Sequence, residues 1–302
     1  MAQSFLVTNI QTGNFEDLVN YIWRISYDQA PFANAIGSVK AKSITHEWMT
    51  QALRAAEANA QTEGFTPSFA ASDQTVRVRR VNRVQILGDT ISVSNTQEFV
   101  DKAGLGQSSE YEEQQNLREL EVMKDTDRAL LISTVVARDA DAGTAGQMDG
   151  ALAWAPSTGS FRVDAGGAAL TQDLFETLSR TIWENSGQTA DLLVVAGFNR
   201  RQISTWTTQF KEHDMKDTTM TDTIEAYRGD WGTQIVLPDP HMTATSLLLC
   251  RKEYMKKAYL RPLAHYELGQ TIDGRRGYVV SECTLEARNP NTVGRITNLQ
   301  GA

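Results

Sequence analysis

The alternation of apolar and charged positions between Thr75 and Ile86 predicts a strand with two unlike faces. Val76, Val78, Val84 and Ile86 fall on one face and Arg77, Arg79 and Arg83 on the other, while Arg80 and Asn82 interrupt the apolar side. Gly88 and Asp89 read as a turn before Ile91 and Val93. A long helix is expected from Ser109, which with Glu112 forms a capping signal, to about Arg138. Its apolar stripe is thin at Leu117, Leu120 and Met123 and dense at Leu130, Leu131, Val135 and Val136, so its second half should be the more deeply packed.

Upstream, residues 1–43 read as an extended arm with a short amphipathic helix near Glu16 to Ser26, ended by the Pro31-Phe32 step. Between Gln51 and Ala71 the chain is small and polar, with Leu53, Phe65 and Phe69 as its larger apolar groups, so the charged strand belongs to a projecting segment without its own core. Downstream, Asp139 to Gly167 is rich in glycine, alanine, serine and threonine and reads as a long connection broken by Trp154 and Phe161. Thr171 then caps a helix carrying Leu174, Leu178 and Ile182, which Gly187 ends. A buried strand follows at Asp191-Leu-Leu-Val-Val-Ala, and Asn199 is placed to cap a helix toward Phe210. Gln209 to Thr223 is polar and reads as a loop. The final stretch is strand-like at Gly232-Thr-Gln-Ile-Val-Leu, Ser246-Leu-Leu-Leu-Cys, Lys257-Ala-Tyr-Leu and Tyr278 to Glu286, and is expected to pack near the long helix. The whole is an α+β protein.

Charge adds meaning to this order. From Ser109 to Arg128 there are seven carboxylates (Glu110, Glu112, Glu113, Glu119, Glu121, Asp125, Asp127) against Arg118, Lys124 and Arg128. An arginine-studded strand and an acidic helix on separate elements suit association between copies, because opposite charges steer encounter and fix register. The competing reading is a solvated charged face, since surface ion pairs contribute only about 0–1 kcal/mol each. At 302 residues with 41% hydrophobic and 22% charged residues, the chain is long enough for a sizeable core. A net charge of −8 argues against broad cationic neutralisation of nucleic acid. Cys250 and Cys283 form no CxxC pair and read as reduced, buried thiols. Neither a signal-peptide pattern nor an 18-residue apolar span occurs, so no membrane role is expected.

Candidate chemistry is sparse. His46, His213, His241 and His265 show no metal-ligand spacing, and no nucleophile elbow, phosphate loop or dinucleotide fingerprint is present. Glu110 and Glu112 do not share a helix face, and an acidic first turn favours the helix dipole without any catalytic purpose. The six tryptophans lack the interleaved bases of a single-strand platform, so core or interface packing is expected of most of them. No catalytic residue, metal site or cofactor is therefore expected.

In the order of its parts the chain resembles the major capsid proteins of tailed bacteriophages with the Hong Kong 97 fold. The resemblance is carried by Ile44-Thr-His-Glu-Trp, Glu63-Gly64, Arg79-Arg-Val-Asn-Arg-Val-Gln-Ile, Val93-Ser-Asn-Thr-Gln-Glu-Phe-Val, Glu119-Leu-Glu, Tyr259-Leu-Arg-Pro and Ser281 to Pro290, and spans nearly the whole chain. It implies an N-terminal arm at 1–43, an extended β-loop at 44–93, and a peripheral domain with a spine helix at 94–167. An axial domain would follow at 168–245, and 246–302 would return to the peripheral sheet and axial edge. It further implies a homo-oligomer of pentamers and hexamers closing an icosahedral shell around double-stranded DNA in the virion, after assembly in the host cytoplasm. Arg77, Arg79, Arg80 and Arg83 would then face a neighbour's Glu110, Glu112, Glu113 or Glu119. A portal protein is implied as partner, a decoration protein is left open, and the subfamily resembled lacks an N-terminal scaffolding region, so a separate scaffolding protein is expected. Some relatives weld their shells through a loop lysine; this chain has none between Ile44 and Val93, and arginine, which stays protonated, is no substitute nucleophile. Other readings are an encapsulin-like compartment, a tail or head-joining protein, and an α/β enzyme.

Overall fold

The computed structural model describes residues 30–66, 75–100, 109–139, 143–206, 226–269 and 273–301. The expected arm helix, Phe69, Phe210, His213 and the polar loop at 209–223 lie outside them. The scaffold is a four-stranded sheet in which β1 (Gly37–Lys40), β10 (Met255–Leu268), β11 (Gly274–Ala287) and β4 (Gln85–Ser94) lie side by side in that order. β1 runs parallel to β10, and the other pairs are antiparallel. β4 is continuous through Gly88 and Asp89, so the expected turn there is absent. Gly88 faces β11 so closely that a Cβ would lie 2.8 Å from the Val279 carbonyl oxygen, which accounts for glycine within a strand.

Across this sheet lies the spine helix α3 (Glu110–Ile132), 23 residues or about 35 Å long. Ser109 caps it, its Oγ accepting the Glu112 amide. It stops six residues before the expected Arg138. The β-branched run Thr134-Val135-Val136 disfavours helix, and Val136 instead pairs with Gln147 in an antiparallel bridge. The returning backbone then satisfies the helix end: the amides of Gly150, Ala151 and Leu152 donate to the carbonyls of Ser133, Leu130 and Leu131. What reads as a loose connection is therefore packed, with Met148, Ala151, Leu152, Ala155 and Phe161 all buried. Its small residues serve close approach, since a Cβ on Gly150 would meet the Leu131 backbone at 2.8 Å. As expected, the second half of α3 is the more buried.

A six-stranded sheet runs β5 (Arg162–Asp164), β12 (Gly294–Thr297), β9 (Leu247–Cys250), β6 (Leu192–Val195), β8 (Gly232–Pro238), β7 (Ala226–Gly229). Every residue of β6 and β9 is buried, because the strands are a shared wall between two cores. Leu192, Val194, Leu248 and Cys250 face Leu130, Leu131 and Met148. Leu193, Val195, Leu247 and Leu249 face Phe175, Leu178 and Ile182 of α4 (Gln172–Ser186). Thr171 and a left-handed Gly187 (φ 66°) delimit α4 as expected.

Pro31 opens a short helix, α1 (Pro31–Ala35), at the first position, where its missing N–H costs nothing; the arm helix it is expected to end lies outside the described residues. One further local expectation is corrected at Asn199. A single turn at Asn95–Phe99 forms α2. Asn199 lies inside α5 (Gly197–Trp206) instead of capping it, and its buried Nδ2 donates to the Ala244 carbonyl. Cys250 and Cys283 are free and buried, and burial pushes the Cys283 thiol up to about 12.

Candidate assembly surfaces

The arginine strand is β3 (Arg77–Arg83), paired antiparallel with β2 (Thr45–Gln51) in a two-stranded ribbon apart from both larger sheets. Its root is fixed by buried polar groups. Asn82, 1% exposed, donates from Nδ2 to the carbonyls of Asp149 and Leu285 at 3.0 and 2.7 Å, and its Oδ1 accepts the amides of Asp149 and Arg83. On the same face, His46 Nε2 lies 2.9 Å from Glu286 Oε2, and Trp48 Nε1 donates to the Ala287 carbonyl. Burial alone would raise the Glu286 carboxyl, but hydrogen bonds and charge from Arg288 and His46 hold it below its ordinary value. Trp48 also packs on Trp154, the ring centroids 5.1 Å apart.

Beyond this root the ribbon leaves the body. Val76 and Val78 are exposed, as is Ile86 in β4, and of the expected apolar face only Val84 is buried. The strand break at Val84 divides a docked part from a projecting part. Residues 52–66 are exposed throughout, Leu53 at 93%. Arg77, Arg79 and Arg80 are exposed and Arg83 is half-buried. Arg79 is 3.4 Å from Glu47 across the ribbon.

The acidic partners sit elsewhere. Tyr111, in the first turn of α3, is buried with its hydroxyl 2.8 Å from His265 Nε2, and Arg275 lies over its ring at 4.2 Å. Gly277 of β11 permits this, since a Cβ there would overlap the Tyr111 hydroxyl. Glu112 is exposed; Glu110 and Glu113 are half-buried, Glu110 accepting from Gln114, and Glu119 accepts from Gln115. The helix start therefore lies beside Gly277 and the ribbon root beside Leu285 to Ala287, at opposite ends of β11. At about 3.3 Å per residue these anchors are roughly 30 Å apart. Arg77, Arg79, Arg80 and Arg83 are not brought to Glu110, Glu112, Glu113 or Glu119 within one chain.

A model of the SU10 major capsid protein family matches residues 5–300. The chain belongs to the SU10 major capsid protein family. Solved structures agree on the Hong Kong 97 fold. The capsid protein superposes on a chain of the cyanophage A-1(L) capsid asymmetric unit with a TM-score of 0.70 at 11% identity, covering 97% of this chain and 100% of that one. A chain of the capsid of cyanophage P-SCSP1u gives 0.62 at 10% identity, covering 98% and 97%. The holo-SrpI encapsulin complex from Synechococcus elongatus PCC 7942 gives 0.60 at 10% identity, covering 99% and 96%. No curated protein matches. The capsid protein is thus a structural component of a phage head and of the virion, built from many copies, and not an enzyme. Among the described residues no helix is long and apolar enough to cross a membrane.

The sequence did not disclose the Asn82 anchor, which looked like an interruption of an apolar face, nor the meeting of Asp127, Asp239 and His241 from distant segments. An uncharged polar residue on an apolar strand face was the available signal for the first; the second had none.

Proposed function

We propose that the capsid protein assembles into pentamers and hexamers in which the β2–β3 ribbon of each copy lies across a neighbour's spine helix, bringing Arg77, Arg79, Arg80 and Arg83 to that neighbour's Glu110, Glu112, Glu113 and Glu119. The supporting observation is the separation of roughly 30 Å between the two charged elements on one chain, with the ribbon exposed beyond its root. Arg77 and Arg80 are the leading contacts, because Arg79 already has Glu47 and Arg83 is half-buried at the root. Residues 1–43 act as the arm, 44–93 as the extended loop, 94–167 with 246–302 as the peripheral domain and its return, and 168–245 as the axial domain. The shell encloses double-stranded DNA without sequence-specific contact, with a portal and a separate scaffolding protein as partners and a decoration protein where capsomers need one. The net charge of −8 over the whole chain is in keeping with a container that does not grip its DNA.

The test is the double variant Arg77→Glu, Arg80→Glu, read by electron microscopy for shells and by circular dichroism for folding. Shells should be lost while the folded signal persists, and Glu112→Lys, Glu113→Lys in the same chain should restore particles. Native shell yield from the reversed ribbon alone refutes the contact.

A further inference from the structure

Asp127 of α3 and Asp239, which follows β8, converge beneath α1. The Ala33 amide donates to Asp127 Oδ1 at 2.6 Å, the Phe32 amide to Asp239 Oδ2 at 3.3 Å, and the His241 amide to Asp239 Oδ1 at 2.8 Å. Both aspartates are buried, Asp127 completely. Asp127 Oδ2 is enclosed and receives no hydrogen bond. One carboxylate oxygen from each aspartate and one ring nitrogen of His241 lie within 4.8 Å of one another. The Lys257 ammonium, whose charge Asp127 feels, donates to the Ala33 carbonyl. Two carboxylates enclosed together are costly unless a cation or a proton joins them.

We propose that Asp127, Asp239 and His241 form a divalent transition-metal site, best suited to Zn2+, that ties α1 to the spine helix and to the end of β8. Two carboxylates and an imidazole match the ligand preference of zinc, whereas calcium needs six to eight oxygens that this enclosed place does not offer. The three protein ligands leave a fourth position for water. Tetrahedral zinc with bonds of about 2.1 Å sets its ligands about 3.4 Å apart, so the cluster closes by at most about 1.4 Å. His241, the one half-buried residue of the three, is the ligand best placed to supply that movement. The α1 amides already hold the carboxylates in orientation, the usual task of groups outside a metal's ligands.

The full chain, stripped with EDTA, is titrated with Zn2+ while bound metal and melting temperature are read. About one zinc per chain should be retained, with a melting temperature several degrees higher that falls back on chelation. His241→Gln should retain at least about tenfold less zinc and melt, when stripped, like the native stripped chain; Asp127→Asn should also lose zinc. Zinc held equally by His241→Gln sits elsewhere and overturns the proposal. So does a native chain that retains no zinc and instead shows the behaviour of a shared proton. Burial raises the Asp127 carboxyl to about 8, so a proton held there makes stability fall as pH rises from the ordinary carboxylate range toward that value, because the unfolded chain releases the proton first. Such a fall, insensitive to zinc and abolished by Asp127→Asn, is the result that replaces the metal with a proton.

Discussion

Replacing Asn82 by alanine removes one side chain that joins three segments of backbone. Four groups, one buried and three half-buried, lose their partners: the carbonyls of Leu285 and Asp149 and the amides of Asp149 and Arg83. A buried polar group left unpaired costs about 1–3 kcal/mol, and water entering the vacated volume recovers part of that, so about 4 kcal/mol is a fair total. The loss falls on docking of the ribbon, because the two cores lie on other strands. Hydrogen exchange should therefore accelerate at the amides of β2 and β3 by up to about a thousandfold, with β6 and β9 little changed. Asn82→Asp keeps both acceptor bonds but turns a carboxylate toward two carbonyls, so at neutral pH it should be worse than alanine and should improve on acidification. Ribbon protection unchanged in Asn82→Ala, or acceleration as large in β6 as in the ribbon, would refute the reasoning.

Gly150→Ala places a Cβ 2.8 Å from the backbone of Leu131 and Ser133, none of which can swing aside, so a cost of about 2–3 kcal/mol and a fall of about 5 °C in melting temperature are expected. Gly197→Ala, with nothing within 4 Å, is the control and should melt like the native chain. The lowered Glu286 carboxyl stabilises the fold above its unfolded value, and that contribution is lost as pH falls through the folded value. Arg288→Gln should therefore shift the acid-unfolding midpoint to higher pH, measured by fluorescence. With no lysine between Ile44 and Val93, mature particles boiled in detergent should run as a single band near 33.5 kDa, and a ladder of multiples would contradict this.

Local signals in the sequence were reliable where one residue type settles the geometry. Thr171 and Gly187 bound α4, Ser109 starts α3, and the unbroken apolar runs at 192–195 and 247–250 are the doubly covered strands. Misreadings arose where a distant segment decides. The small residues of 143–155 look like a loop until the α3 carbonyls they satisfy are known. The valines of the ribbon alternate as if facing a core, yet in the single chain they face solvent. Both charged elements of the proposed contact were legible, but not their placement at opposite ends of β11, which depends on register across the whole sheet.

That placement gives the proposed contact a direction: in it every copy would extend a ribbon and receive another, as in a head-to-tail ring. Two complementary variants can exploit it. Copies with acidic ribbons (Arg77→Glu, Arg80→Glu) accept native ribbons on their native helices, while copies with basic helices (Glu112→Lys, Glu113→Lys) accept only acidic ribbons. Mixed together, the two kinds must alternate around each ring. Alternation closes in a ring with an even number of members and fails in one with an odd number. The mixture can thus complete hexamers but never a five-fold vertex, and curvature that depends on such vertices gives way to flat lattices or open tubes.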